Sequence, residues 1–251
     1  MTSFLLALRF LTIIPMGRAK TVPSPGQIAA SGKYYPLVGL LIGGMLWGFH
    51  YLAGLAFPLS ISVGLLLAFW VLLTGALHLD GLADALDGFY AGADAEERLR
   101  IMKDVQIGTM GIVGVVLLLG MKYLLLKEIL SLPGTAYWLV MLPLASRWAA
   151  ILLSCFFPYA RPGGGLGQGL VSGTGIKEFL AASFLAWGAA LVIGGVEGIG
   201  LLAVLLTWGL LGGWYSLKKL QGITGDVIGA VIESGEVWGM LYIVRVLAKP
   251  I

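Results

Sequence analysis

Long apolar runs separated by short polar breaks dominate the hydrophobic pattern of this chain. A helix needs about 20 apolar residues to cross the hydrocarbon core of a bilayer. On that basis we predict seven membrane-spanning helices, at residues 36–57, 60–79, 109–130, 135–157, 178–196, 198–217 and 226–247. The runs do not alternate between apolar and polar residues, which excludes a membrane β-barrel. The predicted fold is an all-α, polytopic integral membrane helix bundle that forms one catalytic domain over residues 1–251.

The first 18 residues contain a shorter apolar run that carries Arg9. We expect this segment to lie at the membrane interface or to re-enter the membrane, and an eighth crossing is the alternative. It lacks the small-residue cleavage site of a signal peptide, because a bulky "IIPM" follows the apolar run.

Composition agrees with a membrane protein and narrows the chemistry. Of the 251 residues, 59% are hydrophobic and 12% are charged. The single cysteine, Cys155, excludes a disulfide within one chain, and two distant histidines, His50 and His78, disfavour a zinc site. The net charge of +3 reflects membrane topology, so it does not indicate a nucleic-acid partner.

Lysine and arginine accumulate on one side of the predicted topology. With the N-terminus in the cytoplasm, that side holds segments 80–107, 158–177 and 218–225, and the other side has little besides Lys127 and Lys249. Because cytoplasmic loops are enriched in Lys and Arg, we place these three segments on the cytoplasmic face of the inner membrane.

Seven of the 13 acidic residues lie between Asp80 and Asp104. In "LHLDGLADALDGF", Asp80, Asp84 and Asp87 follow i, i+4, i+7 spacing and so share one helix face. Like charges this close need a positive partner, and no Lys or Arg lies among them. An all-oxygen ligand set favours Mg²⁺, or Mn²⁺, over softer metals. The alternative is a solvated acidic loop that follows a membrane helix.

The stretch after this group predicts a short cytoplasmic helix. Asp94 and Glu97 have capping-box spacing, which favours an amphipathic helix over about 95–104. Asp104 closes that helix and is expected to return a fourth carboxylate to the group. Lys103 either contacts phosphate or only follows the positive-inside rule, and the sequence leaves both interpretations open.

A second polar island occurs at "QGITGDVIGAVIESGEVWG". Asp226 and Glu233 are seven residues apart and therefore share a helix face. Carboxylates at membrane depth are costly and mark a functional site or a buried pair. The backbone amides at Thr224 and Gly225 could receive an anion at a helix N-terminus. By the predicted topology, this island opens on the same face as the three aspartates.

Isolated polar residues supply further candidates. Lys122 and Arg147 lie within apolar spans, where a cation pairs with a carboxylate or lines a cavity. They either bind an anionic substrate or balance the aspartates. Arg161, in the glycine-rich "PYARPGGGLGQG", is a candidate phosphate clamp, and His78 is a candidate base or metal ligand.

Clustered carboxylates, a divalent cation and a ring of cations together indicate phosphoryl or phosphodiester transfer. A cation transporter is the competing class, and it predicts carboxylates near the bilayer midplane on several helices. Here most of the acids lie at helix ends on one face, which favours an enzyme.

Five segments resemble the cobalamin-5′-phosphate synthase family, also called adenosylcobinamide-GDP ribazoletransferase. They are "FLTIIPMGR", "YYPLVGLLIGG", "GALHLDGLADALDGF", "RLRIMKDVQIGTMG" and "GITGDVIGAVIE". The resemblance implies a Mg²⁺-requiring enzyme of the inner membrane that joins adenosylcobinamide-GDP to α-ribazole or its 5′-phosphate. The products would be adenosylcobalamin, or its 5′-phosphate, and GMP. Whether two chains pair in the membrane stays open.

The residue patterns above and this resemblance together give three sets of candidate site residues. The catalytic set is His78, Asp80, Asp84, Asp87 and Asp104. The metal-binding set is Asp80, Asp84, Asp87, Asp104 and Asp226. The substrate-binding set is Lys103, Lys122, Arg147, Arg161, Thr224, Gly225, Asp226 and Glu233. A partial likeness to the DxxDG motif of CDP-alcohol phosphotransferases makes that family the alternative.

Overall fold

The computed structural model describes residues 2–16, 22–161, 164 and 167–248. Within them the helices are α1 (Ser3–Leu11), α2 (Pro25–Gly32), α3 (Tyr35–Ala56), α4 (Leu59–Leu73), α5 (Leu77–Ala91), α6 (Ala95–Ile101), α7 (Thr109–Leu130), α8 (Trp138–Phe156), α9 (Gln168–Val171), α10 (Ile176–Leu220) and α11 (Gly225–Leu247). Five of them are long and apolar enough to cross a membrane, and α4 with α5 passes the same test as a bent pair. The predicted all-α membrane bundle is confirmed.

Helix α10 is a helical hairpin and not one long rod. Gly195 has φ +57° and ψ −140°, which interrupts the helix. A methyl group added to Gly198 would overlap the carbonyl of Ala190, although a straight helix would separate these residues by about 12 Å along its axis. The chain therefore reverses at Gly195, and α10 supplies two of the predicted crossings, 178–196 and 198–217.

The predicted continuous helix over 60–79 is wrong. α4 ends at Leu73, α5 begins at Leu77, and the two axes differ by 85°. Between them Gly75 (φ +61°) and Ala76 (φ +55°) both adopt the left-handed conformation, which a right-handed helix cannot contain. Hydropathy alone does not detect this break because both residues suit an apolar run. As a result, α5 turns sharply away from the direction of α4.

The N-terminal helix α1 is too short to cross a membrane. Its nine residues rise about 13.5 Å, less than half of a hydrocarbon core of about 30 Å. The Ile13 amide donates to the Leu73 carbonyl at 2.9 Å, which ties the chain after α1 to the end of α4. Part of the predicted interfacial segment, residues 17–18, lies outside the described residues.

Helices α8 and α11 form the interior of the bundle. α3 packs closely on α8 because Gly39 and Gly43 face the backbone at Pro143 and Val140, where any side chain would overlap. α8 also packs on α10 and α11, and nearly all of it is buried, including Arg147. A charged side chain at this depth requires partners within the bundle.

The polar segments meet at one end of the bundle, as predicted. Arg98 on α6 donates to the Lys219 carbonyl at 3.4 Å. The Ala160 amide donates to the Ile223 carbonyl at 2.9 Å, so the chain after α8 pairs with the turn before α11. We call this end of the molecule, which carries α5, α6, α9 and the α10–α11 turn, the polar end.

Candidate active site

Close packing of α5 on α11 creates the candidate site. A Cβ added to Gly81 would lie 3.0 Å from the Asp226 Cα, and one added to Gly229 would lie 3.0 Å from the His78 carbonyl oxygen. The two backbones therefore approach each other without side chains between them. This contact places Asp80 on α5 beside the first turn of α11.

Asp80, Asp84 and Asp226 form the group that we call the acidic cluster. The charges of Asp80 and Asp226 both act on Asp84, which is partly buried. Asp80 is exposed, and neither the Asp80 nor the Asp84 carboxylate has a hydrogen-bond partner within the described ranges. The predicted meeting of the α5 aspartates with the start of α11 is therefore present. The carboxylates of Asp80 and Asp84 on α5 remain available for a ligand.

Arg161 supplies the cation nearest to this cluster. Its Nη2 lies 2.6 Å from Asp226 Oδ2, and its side chain is only 11% exposed. The pairing of the 158–160 backbone with Ile223 holds the arginine there. On the same segment, burial raises the pKa of the Tyr159 hydroxyl, and the positive charge of Arg161 partly offsets this effect. The glycine-rich residues 162–163 and 165–166 lie outside the described residues.

Thr224 caps the helix that carries Asp226. Its hydroxyl accepts from the Val227 amide at 3.3 Å and donates to Asp226 Oδ2 at 3.2 Å. Gly225 lies against the backbone of Gly167, where a Cβ on Gly167 would be 3.0 Å from the Gly225 Cα. The side-chain cap takes the Val227 amide and leaves the amides of Thr224 and Gly225, so anion binding there stays a prediction.

The Asp87 carboxylate contacts the N-terminus of α7. Its carboxylate oxygens accept from the Gly108 amide at 2.7 Å and the Gly111 amide at 2.8 Å. These are the amides at the N-terminus of α7, so Asp87 caps that helix from a neighbouring one. Any side chain at Gly108 or Gly111 would overlap the carboxylate. This capping role was not predicted from the sequence.

Asp104 and Lys103 lie just after α6 on the surface. Asp104 accepts from the Gln106 amide at 3.0 Å, and it lines a recess of about 410 Å³ together with Asp87. The structure brings Asp104 to Asp87, while Asp80 and Asp226 line a different cleft. Lys103 is exposed and lines a third, larger recess with Arg161.

The capping interaction predicted for the N-terminus of α6 is present. The Glu97 amide donates to Asp94 at 2.9 Å, and the Glu97 carboxylate accepts from the Ala93 amide at 3.2 Å. The helix ends at Ile101 and not at 104, because the chain turns there before the start of α7.

Lys122, Arg147 and Glu233 lie in a buried ion-pair network. Lys122 contacts Glu233 at 2.6 Å and also pairs with Glu236, which pairs with Arg147 as well. Ser146 donates to Glu236 at 2.9 Å. Of the two alternatives that the sequence left open for these cations, a carboxylate pair or a cavity, the structure shows the pair. The partners are glutamates of α11, so the cations do not balance the aspartates. A substrate role for the three residues stays a prediction.

Glu236 lies at the centre of this network and was not among the site residues predicted from the sequence. The available signal was its i, i+3 spacing from Glu233, which places both carboxylates on one face of α11. The network joins α7, α8 and α11 inside the bundle, and every charge in it is compensated.

His78 lines a narrow cleft beside the acidic cluster. The cleft measures about 110 Å³ and is lined by His78, Asp80 and Asp226 among mainly apolar side chains of α1, α3, α5 and α11. His78 is buried, and its Nδ1 has no hydrogen-bond partner in the part of the chain that the structure describes. This histidine is therefore positioned to face a ligand in the cleft.

Within the described ranges, no three His, Cys, Asp or Glu side chains converge closely enough to form a complete metal site by themselves. An all-oxygen donor set is nonetheless present at Asp80, Asp84 and Asp226. Protein sites for Mg²⁺ commonly use one or two carboxylates, with water and substrate phosphates as the remaining ligands. The residues present fit that kind of site and not an all-protein cage.

Comparison with known proteins identifies the family. The family profile described as cobalamin-5-phosphate synthase matches residues 3–244. The chain belongs to the cobalamin-5-phosphate synthase family. Among curated members, adenosylcobinamide-GDP ribazoletransferase of Pseudomonas entomophila is 41% identical over 93% of this chain and 94% of its own length. The protein of the same name from Brevibacillus brevis is 35% identical over 97% of this chain and 98% of its own length.

This chain is accordingly a transferase of the cobalamin-5-phosphate synthase family. No solved structure matches it. For this family member, the structure divides the first acidic motif into two parts. Asp80 and Asp84 lie with Asp226, whereas Asp87 contacts Gly108 and Gly111 at the N-terminus of α7.

Proposed function

We propose that the chain is a Mg²⁺-dependent transferase that joins adenosylcobinamide-GDP to α-ribazole or its 5′-phosphate. The observation that carries the proposal is the contact between α5 and α11, which gathers the acidic cluster next to the buried Arg161. Carboxylates for a metal and a guanidinium for phosphate oxygens are the parts that phosphoryl transfer requires. The family assignment supplies the substrates.

Asp80 and Asp84 are the proposed Mg²⁺ ligands, with Asp226 on the opposite helix as the third acid. Asp87 is left out of this ligand set because both of its oxygens already accept from α7 amides. Asp104 is also left out because it lies with Asp87 in a separate recess. When bound, Mg²⁺ would neutralise charge on the donor pyrophosphate.

The proposed reaction is a displacement at the phosphorus nearest cobinamide. The 3′-hydroxyl oxygen of α-ribazole forms the new P–O bond, and the bond from that phosphorus to the bridging oxygen of the pyrophosphate breaks. GMP leaves with the electron pair of the broken bond. The hydroxyl proton passes to a group that lines the cleft, either His78 or one of the carboxylates Asp80 and Asp226. Arg161 holds Asp226 in place and donates towards phosphate oxygens.

The first test replaces Asp84 by asparagine in purified protein. The Asp84→Asn variant keeps the side-chain volume and loses the charge, so we expect release of GMP to fall at least about a hundredfold. GMP is quantified chromatographically after incubation with adenosylcobinamide-GDP, α-ribazole and Mg²⁺. Glu128→Gln is the matched control, because Glu128 is exposed at the opposite end of α7 and its variant keeps wild-type activity.

Full Mg²⁺-dependent activity in Asp84→Asn would refute the ligand assignment. The transporter alternative makes a different prediction, namely metal flux into proteoliposomes without release of GMP. The structure disfavours a transport path, because the glutamates at membrane depth, Glu233 and Glu236, are both paired with buried cations.

A further inference from the structure

A wide recess opens at the polar end between α6, the segment after α8 and the α10–α11 turn. Its volume is about 670 Å³, and its charged lining residues are Glu96, Arg100, Lys103 and Arg161. Ligand sites for drug-sized molecules measure about 300–1,000 Å³. The recess is therefore large enough for a nucleotide, whereas the cleft of about 110 Å³ beside His78 is not.

Positive charge exceeds negative charge in this recess. Three of its lining residues are cations and one is a carboxylate. Within the described part of the chain, Arg100 forms an ion pair with Glu97 alone, at 3.6 Å and with 71% of the arginine side chain exposed, and such an exposed pair is weak. Lys103 has no ion-pair partner among the residues that the structure describes. A concave surface that presents exposed cations such as Arg100 and Lys103 attracts anions.

The recess adjoins the acidic cluster at one ion pair. Arg161 lines the recess and contacts Asp226 at 2.6 Å, so the guanidinium separates the basic surface from the carboxylates. An anion held by Arg100 and Lys103 would extend towards a metal bound at Asp80 and Asp84. A pyrophosphate needs this arrangement, since it must contact cations along its length and a metal at the reacting phosphorus.

We propose that this recess binds the nucleotide half of the donor, the part that leaves as GMP, with Arg100 and Lys103 contacting its phosphate. The inference rests on the proposed function and adds the location and orientation of the donor. The cobinamide half is far larger than a nucleotide and must lie outside the recess. A phosphate of a lipid headgroup has the same chemistry as the GMP phosphate, and the experiment separates the two sources.

The test compares the double variant Arg100→Ala/Lys103→Ala with Lys177→Ala in nanodiscs. Lys177 is an exposed cation at the same end but outside the recess. Losing a hydrogen bond to a charged group weakens binding about tenfold or more. We therefore expect the double variant to raise both the KM for adenosylcobinamide-GDP and the Kd for GMP by at least about that factor. The KM for α-ribazole, and all constants of Lys177→Ala, should stay within about twofold of wild type.

Three outcomes separate the hypotheses. If wild-type protein turns over substrate but the double variant keeps the wild-type KM and Kd, the recess proposal is wrong and the proposed function stands. If wild-type protein releases no GMP, the proposed function itself fails. If the double variant changes only the dependence of activity on phosphatidylglycerol in the nanodisc, with GMP affinity unchanged, the recess binds a lipid headgroup and the nucleotide proposal is overturned.

Discussion

Asp87 has both carboxylate oxygens on backbone amides of α7, and this geometry predicts a positioning role. Asp87→Asn keeps one acceptor oxygen but turns an amide N–H₂ towards a backbone N–H. We expect a loss of about 1–2 kcal/mol of stability, visible as a lower Tm in tryptophan fluorescence. The Mg²⁺ concentration for half-maximal GMP release should stay near the wild-type value, because Asp80 and Asp84 are unchanged.

The opposite pattern would identify Asp87 as a metal ligand. In that case the variant would keep its Tm but need about tenfold more Mg²⁺ for half-maximal activity. Glu128→Gln serves again as the control, since it removes a charge from an exposed position in the last turn of α7, far from the N-terminal amides that Asp87 caps.

Helical spacing predicted that Asp80, Asp84 and Asp87 share one face, and α5 is indeed continuous across them. It could not predict that the last of the three would meet backbone amides. That outcome depends on how α7 approaches α5, and Gly108 and Gly111 permit the approach because any side chain there would overlap the carboxylate. The spacing of residues along the sequence predicts which helix face they share. It does not predict which other element packs against that face.

The break between α4 and α5 predicts opposite effects for two neighbouring substitutions. Ala76 adopts φ +55°, which costs a residue with a Cβ about 1–2 kcal/mol. Ala76→Gly should leave the Tm unchanged or raise it slightly, since glycine relieves the strain but loosens the unfolded chain. Gly75→Ala adds strain at φ +61°, and its Cβ would lie 2.8 Å from Ile13, so the Tm should fall.

The two variants control for each other because both change one methyl group at adjacent positions. Equal effects on the Tm would contradict a left-handed break. Gly75→Ala should also lower GMP release, since the angle of 85° between α4 and α5 orients the helix that carries Asp80 and Asp84.

Hydropathy predicted most spanning elements closely. The predicted helix 109–130 coincides with α7, and 226–247 differs by one residue at its start from α11. The failure at 60–79 has a specific cause, since apolarity measures transfer into lipid and carries no information on backbone torsion. Glycine followed by alanine in "LLTGALHLD" was compatible with either a continuous helix or a turn.

At the scale of the molecule, the count of Lys and Arg placed the polar segments at one end, and the contacts between 158–160 and 222–223 agree with this. The sequence could not predict which ion pairs form between helices. Arg161 could have paired with any carboxylate of the polar end, and Lys122 with any acid at its depth. The choice of ion-pair partner depends on how far each helix is shifted along the bundle axis. The hairpin at Gly195 and the packing of α8 together set these positions.

The same count predicts which side of the membrane the site faces. Lys177 and Glu197 lie at opposite ends of the first half of α10 and are both exposed. In a Cys155→Ser background, Lys177→Cys should react with a membrane-impermeant maleimide only from the cytoplasmic side, and Glu197→Cys only from the other side. Right-side-out and inside-out vesicles provide the two exposures, and GMP release by the background protein verifies that the fold is intact.

Labelling of Lys177→Cys from outside the cell would reverse the topology and place the acidic cluster away from the cytoplasm. Labelling of both positions from one side would contradict the reversal at Gly195, because the segment Ile176–Gly194 must cross the bilayer to separate them. The expected result follows from the positive-inside rule, since the polar end carries the excess of Lys and Arg. It also agrees with the proposed reaction, because a recess that retains GMP must open to the compartment into which GMP is released.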